Sequence, residues 1–133
     1  MGAKRTTPAS SLLLAIDAGN TRVKWGLHDG RRWVKRGHAQ TGRAAGLKSV
    51  FARLPPMDAI IVSNVAGDGL RTALKRALPA LPAPRWIRSA AAQCGVRNSY
   101  AKPAQLGCDR WAALLGAHAR CPGAVVVVNA GTA

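Results

Sequence analysis

A short apolar run, Leu12 to Ile16, ends on the carboxylate of Asp17 and turns at once through Ala18-Gly19-Asn20-Thr21. Consecutive apolar residues of this length suit a strand covered on both faces, and the small and polar residues after them suit a tight turn. Val23, Trp25 and Leu27 then alternate with Arg22, Lys24 and Gly26, the period-two pattern of a half-buried strand. His28-Asp29-Gly30 turns the chain again, and Arg32 to His38 can supply a third strand. Three strands joined by tight turns make an antiparallel meander, with an acid at the end of the first.

Helix and strand alternate from there. Ala44 to Leu54 has helical spacing and stops at Pro55-Pro56; Ala59 to Val65 reads as a buried strand, and Leu70 to Leu78 as a basic amphipathic helix with a solvated face. A short strand is expected around Trp86-Ile87. Pro103 opens a helix that puts Gly107, Trp111, Leu114, Leu115 and His118 on one face. Ala124 to Val128 is a further apolar run expected to form a buried strand. Three strands followed by this alternation predict an α/β fold: a mixed five-stranded sheet with flanking helices. The order is that of the ribonuclease H-like topology, which actin-like sugar and acid kinases share.

The segments AIDAGNT (Ala15–Thr21) and VVNAGTA (Val127–Ala133) have the same form, an apolar strand, then Asp or Asn, Ala, Gly and a small polar residue. Such an echo marks an internal duplication. Residues 124–133 would then begin a second ribonuclease H-like domain, truncated after its first strand, and the chain reads as a fragment.

Composition narrows the function classes. Twenty Lys and Arg against five Asp and Glu give a net charge of +15, a field that attracts polyanions. The cations are scattered, however, and the few aromatics are not interleaved with them as a stacking platform for nucleic acid requires. Nuclease chemistry wants several clustered carboxylates, and five acids leave few to spare. No apolar run reaches membrane-spanning length. Cys94, Cys108 and Cys121 are odd in number and never spaced as C-x-x-C, so reduced thiols and a cytoplasmic location are expected. His28, His38 and His118 show no metal-ligand spacing.

Two constellations carry chemistry. In the first, Asp17 to Lys24, a glycine turn lets the backbone approach a polyphosphate, Asn20 and Thr21 can donate hydrogen bonds, and Lys24 supplies charge. Asp17 would hold Mg²⁺ through water. D-x-G-N-T alone serves equally well as an ordinary hairpin turn. The second is Tyr100 with Gly107-Cys108-Asp109-Arg110. Asp109 lies roughly 200° from Trp111 on a helix, at about 100° per residue, and so points away from the apolar face. An acid beside a guanidinium can act as a base for a hydroxyl and a clamp for a carboxylate. An isolated Asp-Arg pair is better read as an acid favouring a helix N-terminus next to a solvated cation.

Taken in order, D-x-G-N-T-x-x-K, N-x-Y, L-G-x-D-R-W and A-G-T-A resemble the type III pantothenate kinases over nearly all of residues 12–133. The resemblance implies ATP-dependent phosphorylation of pantothenate, the first step of coenzyme A synthesis, by a dimeric enzyme using Mg-ATP and a monovalent cation, potassium or ammonium. It assigns Asp17, Ala18, Gly19, Asn20, Thr21, Arg22, Val23 and Lys24 to the first ATP-phosphate loop and Thr132 to the second. Tyr100, Gly107, Cys108, Asp109 and Arg110 would bind pantothenate, with Asp109 the catalytic base. Asn129 stands where the family commonly has an Asp that helps hold the monovalent cation, and offers only a neutral oxygen. On this reading residues 1–11 are a disordered lead-in, residues 12–103 the first domain, and residues 104–133 the substrate helix and the start of the second. A basic nucleic-acid-binding or regulatory module, or another actin-like small-molecule kinase, is the alternative.

Overall fold

The computed structural model describes residues 11–80 and 82–131; most of the expected lead-in and Thr132 lie outside them. Strands β1 (Leu13–Ala18), β2 (Arg22–His28) and β3 (Trp33–Gln40) form the antiparallel meander. Strands β4 (Ala59–Asn64) and β5 (Arg85–Trp86) extend it in parallel from the other edge of β1, so the sheet order is β3-β2-β1-β4-β5. The mixed five-stranded α/β sheet is therefore as the pattern implied, and is consistent with a ribonuclease H-like kinase domain.

Alternation along the strands decides the core. Leu14, Ile16 and Ala18 of β1, Val23 and Leu27 of β2, and Ile60 and Val62 of β4 are buried on one face. Helix α1 (Leu47–Phe51) covers them with Leu47 and Phe51, and helix α2 (Gly67–Ala77) with Leu70, Leu74 and Ala77. Side chains of this kind contribute roughly 1.5–3 kcal/mol each when fully buried, which anchors the sheet to its helices. Gly37 of β3 faces Trp25 of β2 so closely that a Cβ would come within 2.6 Å of the indole. The basic side of α2 is not wholly solvated, because the Arg71 guanidinium lies over the Trp86 ring, 4.4 Å from its centroid.

Three expectations need correction, and one element was not expected. The helix expected over 44–54 is split, with a 3-10 turn over Thr41–Gly46 preceding the short α1. The helix expected from Pro103 begins instead at Cys108: Pro103–Gln105 is a separate 3-10 turn, and Leu106 and Gly107 are extended before α3 (Cys108–Arg120). Leu106 is buried and its carbonyl accepts a hydrogen bond from the Ser89 hydroxyl, which holds that stretch out of the helix. A small hairpin, β6 (Ala92–Gln93) and β7 (Val96–Arg97), turns through Cys94 and Gly95, both at positive φ as a two-residue hairpin turn of this kind requires.

The third correction is the run Ala124 to Val128. It is neither a strand nor buried; Val126 is 87% and Val128 81% exposed. A strand exists only by pairing, and no described strand lies beside this run to accept its backbone hydrogen bonds.

Candidate active site

Parallel pairing of β1 with β4 sets Asp17 opposite Ser63 and Ala18 opposite Asn64, so both strands end together at one rim of the sheet. Helix α3 packs on the sheet face opposite α1 and α2, and its first residue docks at this rim. The Cys108 thiol lies 3.4 Å from the Ser63 hydroxyl and 3.4 Å from the Asn64 carbonyl, to which it donates. Asn64 also shapes the turn after β4: its Nδ2 donates to the Gly67 carbonyl and its Oδ1 accepts the Ala66 N–H. That turn presents Val65, whose own N–H donates to the Ala18 carbonyl.

Between the β1–β2 turn and the start of α3 lies a cavity of about 700 Å³. Asp17, Gly19, Asn20, Thr21, Arg22 and Lys24 line one side; Val65, Gly107, Asp109, Arg110 and Gly131 complete it. The two constellations read from the sequence thus meet across one space. Partial burial raises the pKa of the Asp17 carboxyl above its ordinary value; Lys24 opposes the shift and the negative charge of Asp109 adds to it. Asp17 and Asp109 are close enough to influence each other electrostatically.

The turn is built to stay open to the cavity. Gly19 N–H donates to the Arg22 carbonyl at 2.9 Å, and a Cβ on Gly19 would stand 3.2 Å from that same oxygen. The Gly19 amide is therefore committed within the turn and is not among the donors a phosphate could use, which narrows the set of turn amides expected from sequence. Behind the turn stands Thr41, whose hydroxyl donates to the Gly19 carbonyl at 2.7 Å and whose N–H donates to the Thr21 carbonyl at 3.0 Å.

At the start of α3, Asp109 Oδ1 accepts the N–H of Arg110 at 2.8 Å. Gly107 makes room for this: a Cβ there would come within 2.7 Å of Asp109 Oδ1. Because the atom displaced is the end of a side chain, Gly107→Ala should leave the fold intact and swing the Asp109 carboxylate away. The expected outcome is an unchanged thermal midpoint with kcat reduced at least tenfold; equal kcat in both proteins would show that the carboxylate's position is not critical.

Several expected site residues are placed elsewhere. Ala18 and Val23 are fully buried in the core, as strand alternation demands of residues beside Asp17 and Lys24, and neither lines the cavity. The Cys108 thiol faces β4 while its neighbours face the cavity. Tyr100 is 47% exposed on the loop before α3 and lies outside the cavity lining. Asn98 organises that loop, accepting the Tyr100 N–H with Oδ1 and donating from Nδ2 to the Pro103 carbonyl. Asn129 is exposed and also outside the lining, and Thr132 is not among the described residues. Thr41, Ser63, Asn64 and Val65 carry no motif and were not legible as site residues.

The sequence profile of the type III pantothenate kinases matches residues 13–133. The chain belongs to the type III pantothenate kinase family. It is 50% identical over 129 residues to a type III pantothenate kinase of Nitrosomonas eutropha, an alignment covering 93% of this chain and 49% of that protein. It is 49% identical over 123 residues to that of Nitrosospira multiformis, covering 92% and 47%. It is 46% identical over 123 residues to that of Aromatoleum aromaticum, covering 92% and 51%. The chain spans about half the length of these curated relatives.

Proposed function

We propose that the protein carrying this chain transfers the γ-phosphoryl group of ATP to the hydroxyl of pantothenate, giving 4′-phosphopantothenate and ADP. The observation that carries the reading is the convergence of the Asp17–Lys24 turn and the Gly107–Arg110 segment on one cavity, in a chain of this family.

Asp109 is the general base. Arg110 N–H holds its Oδ1, so the carboxylate is oriented before substrate arrives. The pantothenate hydroxyl gives its proton to that carboxylate as its oxygen bonds to the γ-phosphorus; the bond from that phosphorus to the β,γ-bridging oxygen breaks, and its electron pair leaves with ADP. Arg110 offers a guanidinium fork to the pantothenate carboxylate, and Tyr100, outside the cavity lining, is assigned to the substrate by the family resemblance alone. Lys24 and the Asn20 and Thr21 groups face the polyphosphate, where positive charge and donors offset the charge spread over the transferring group. Ala18 and Val23 serve the phosphate loop only by holding its ends in the core, and Cys108 serves the substrate segment by docking it. Asp17 fits a Mg²⁺ ion, since a cation there would relieve both the partial burial of its carboxylate and the nearby charge of Asp109. When bound, magnesium neutralises phosphate charge.

The remaining parts of the reading follow the family. Residues 104–133 carry the substrate helix and the entry to a second domain, which supplies the partner strand for Ala124 to Val128 and places Thr132 at the ATP phosphates. The full protein is a cytoplasmic homodimer activated by potassium or ammonium. Asn129 is the ligand this chain can offer that ion, and its neutral oxygen is weaker than a carboxylate. Asn129→Asp should lower the potassium concentration for half-maximal activity; an unchanged or higher requirement would assign the ion to other ligands. Against a nucleic-acid module or another actin-like kinase, the test is ADP release by the full-length protein. Pantothenate should stimulate it, while acetate, sugars and oligonucleotides should not.

A further inference from the structure

Thr41 is the first residue after β3 and opens the 3-10 turn over Thr41–Gly46. It is half-buried and does not line the cavity, yet it makes two hydrogen bonds to the turn that does. Its hydroxyl donates to the Gly19 carbonyl at 2.7 Å and its backbone N–H to the Thr21 carbonyl at 3.0 Å. Thr41 therefore grips the β1–β2 turn from behind, on both sides of Asn20.

The consequence follows from peptide geometry. In a trans peptide the C=O of one residue and the N–H of the next lie in one plane and point in opposite directions. Fixing the Gly19 carbonyl toward Thr41 fixes the Asn20 N–H away from it, and Asn20 belongs to the cavity lining whereas Thr41 does not. The Gly19 N–H cannot take this part, because it is spent on the Arg22 carbonyl. Among the described residues no other hydrogen bond holds the Gly19 carbonyl, so loss of the Thr41 hydroxyl frees the Gly19–Asn20 peptide to flip and present a carbonyl oxygen in place of a donor. For a bound polyphosphate that exchange replaces an attraction with a repulsion.

We propose that Thr41 is the positioning residue of the phosphate turn, its hydroxyl orienting the Gly19–Asn20 peptide so that the Asn20 N–H donates to a phosphate of the bound nucleotide. The inference rests on the reading of Gly19 to Lys24 as a nucleotide-phosphate loop. Threonine at this position supplies a donor that an isosteric valine lacks, whereas serine retains it.

The test uses the full-length protein with Thr41→Val and Thr41→Ser, and measures ATP and ADP affinity by titration calorimetry alongside steady-state kinetics and thermal midpoints. Loss of one oriented hydrogen bond to a charged group should weaken ATP binding about tenfold in Thr41→Val. The KM for ATP should rise in parallel, the KM for pantothenate should stay within twofold, and Thr41→Ser should restore ATP affinity to within about threefold of wild type. Three results would overturn the proposal: ATP affinity in Thr41→Val equal to wild type, equal losses in both variants, or both KM values rising together. Wild-type protein that binds ATP but does not phosphorylate pantothenate would refute the substrate assignment and leave the calorimetric comparison decisive for Thr41. Wild-type protein that binds no ATP would overturn the phosphate-loop reading and this inference with it.

Discussion

Asp109→Asn in the full-length protein is expected to remove pantothenate phosphorylation while leaving ATP affinity near that of wild type. Removing a general base typically costs about 10²–10⁴ in rate. Asparagine has the shape of aspartate, and its amide oxygen can still accept the Arg110 N–H that now reaches Asp109 Oδ1. The first turn of α3, the Cys108 contacts with Ser63 and Asn64, and the cavity should all persist. The loss should therefore fall on kcat rather than on folding or nucleotide binding. A kcat within a few-fold of wild type would remove Asp109 from the role of base.

The second large effect concerns stability. Trp111 is fully buried, and its indole N–H donates to Gln93 Oε1 at 3.0 Å, tying α3 to the β6–β7 hairpin. It follows Asp109 and Arg110 by a fraction of a turn, so its seat fixes how the start of α3 faces β1 and β4. Trp111→Ala should lower unfolding free energy by about 3–5 kcal/mol, the usual cost of truncating a buried Trp with incomplete collapse of the cavity. Trp111→Phe keeps most of the apolar contact and loses the hydrogen bond to an exposed Gln93, so it should cost much less. Urea denaturation measures both. Equal small losses would show that α3 is held by its other contacts.

Much of this architecture could be read from residue order. The alternation from Arg22 to Leu27 gives both element type and inner face, whereas the continuous apolar runs into Asp17 and at Ile60 to Val62 give a buried strand without saying which face meets the helices. The same logic failed at Ala124 to Val128, because apolarity announces that a segment needs cover without saying that cover is at hand. The β6–β7 hairpin escaped notice because its pairs, Ala92 with Arg97 and Gln93 with Val96, are too few and too polar to show a period. Pro103 gave a sound signal for a helical turn, but buried Leu106 and extended Gly107 delay α3 until Cys108.

The site divides in the same way. Asp17, Gly19, Lys24, Gly107, Asp109 and Arg110 were legible because their chemistry is local to two short motifs. Ala18 and Val23 belong to the first motif by position, yet period-two alternation already sends their side chains into the core. Thr41, Ser63 and Asn64 were hidden because their roles arise only when β3 returns beside β2 and β4 pairs with β1. Nothing in their immediate neighbours signals that.

The central claim is that the two constellations around the cavity work as one phosphotransfer site for pantothenate. Mass spectrometry of the product formed by the full-length protein from pantothenate and γ-¹⁸O-labelled ATP tests it most directly. The account predicts 4′-phosphopantothenate carrying the labelled phosphoryl group, formed by wild type and absent with Asp109→Asn. Labelled inorganic phosphate without phosphopantothenate, or equal product from both proteins, would contradict it.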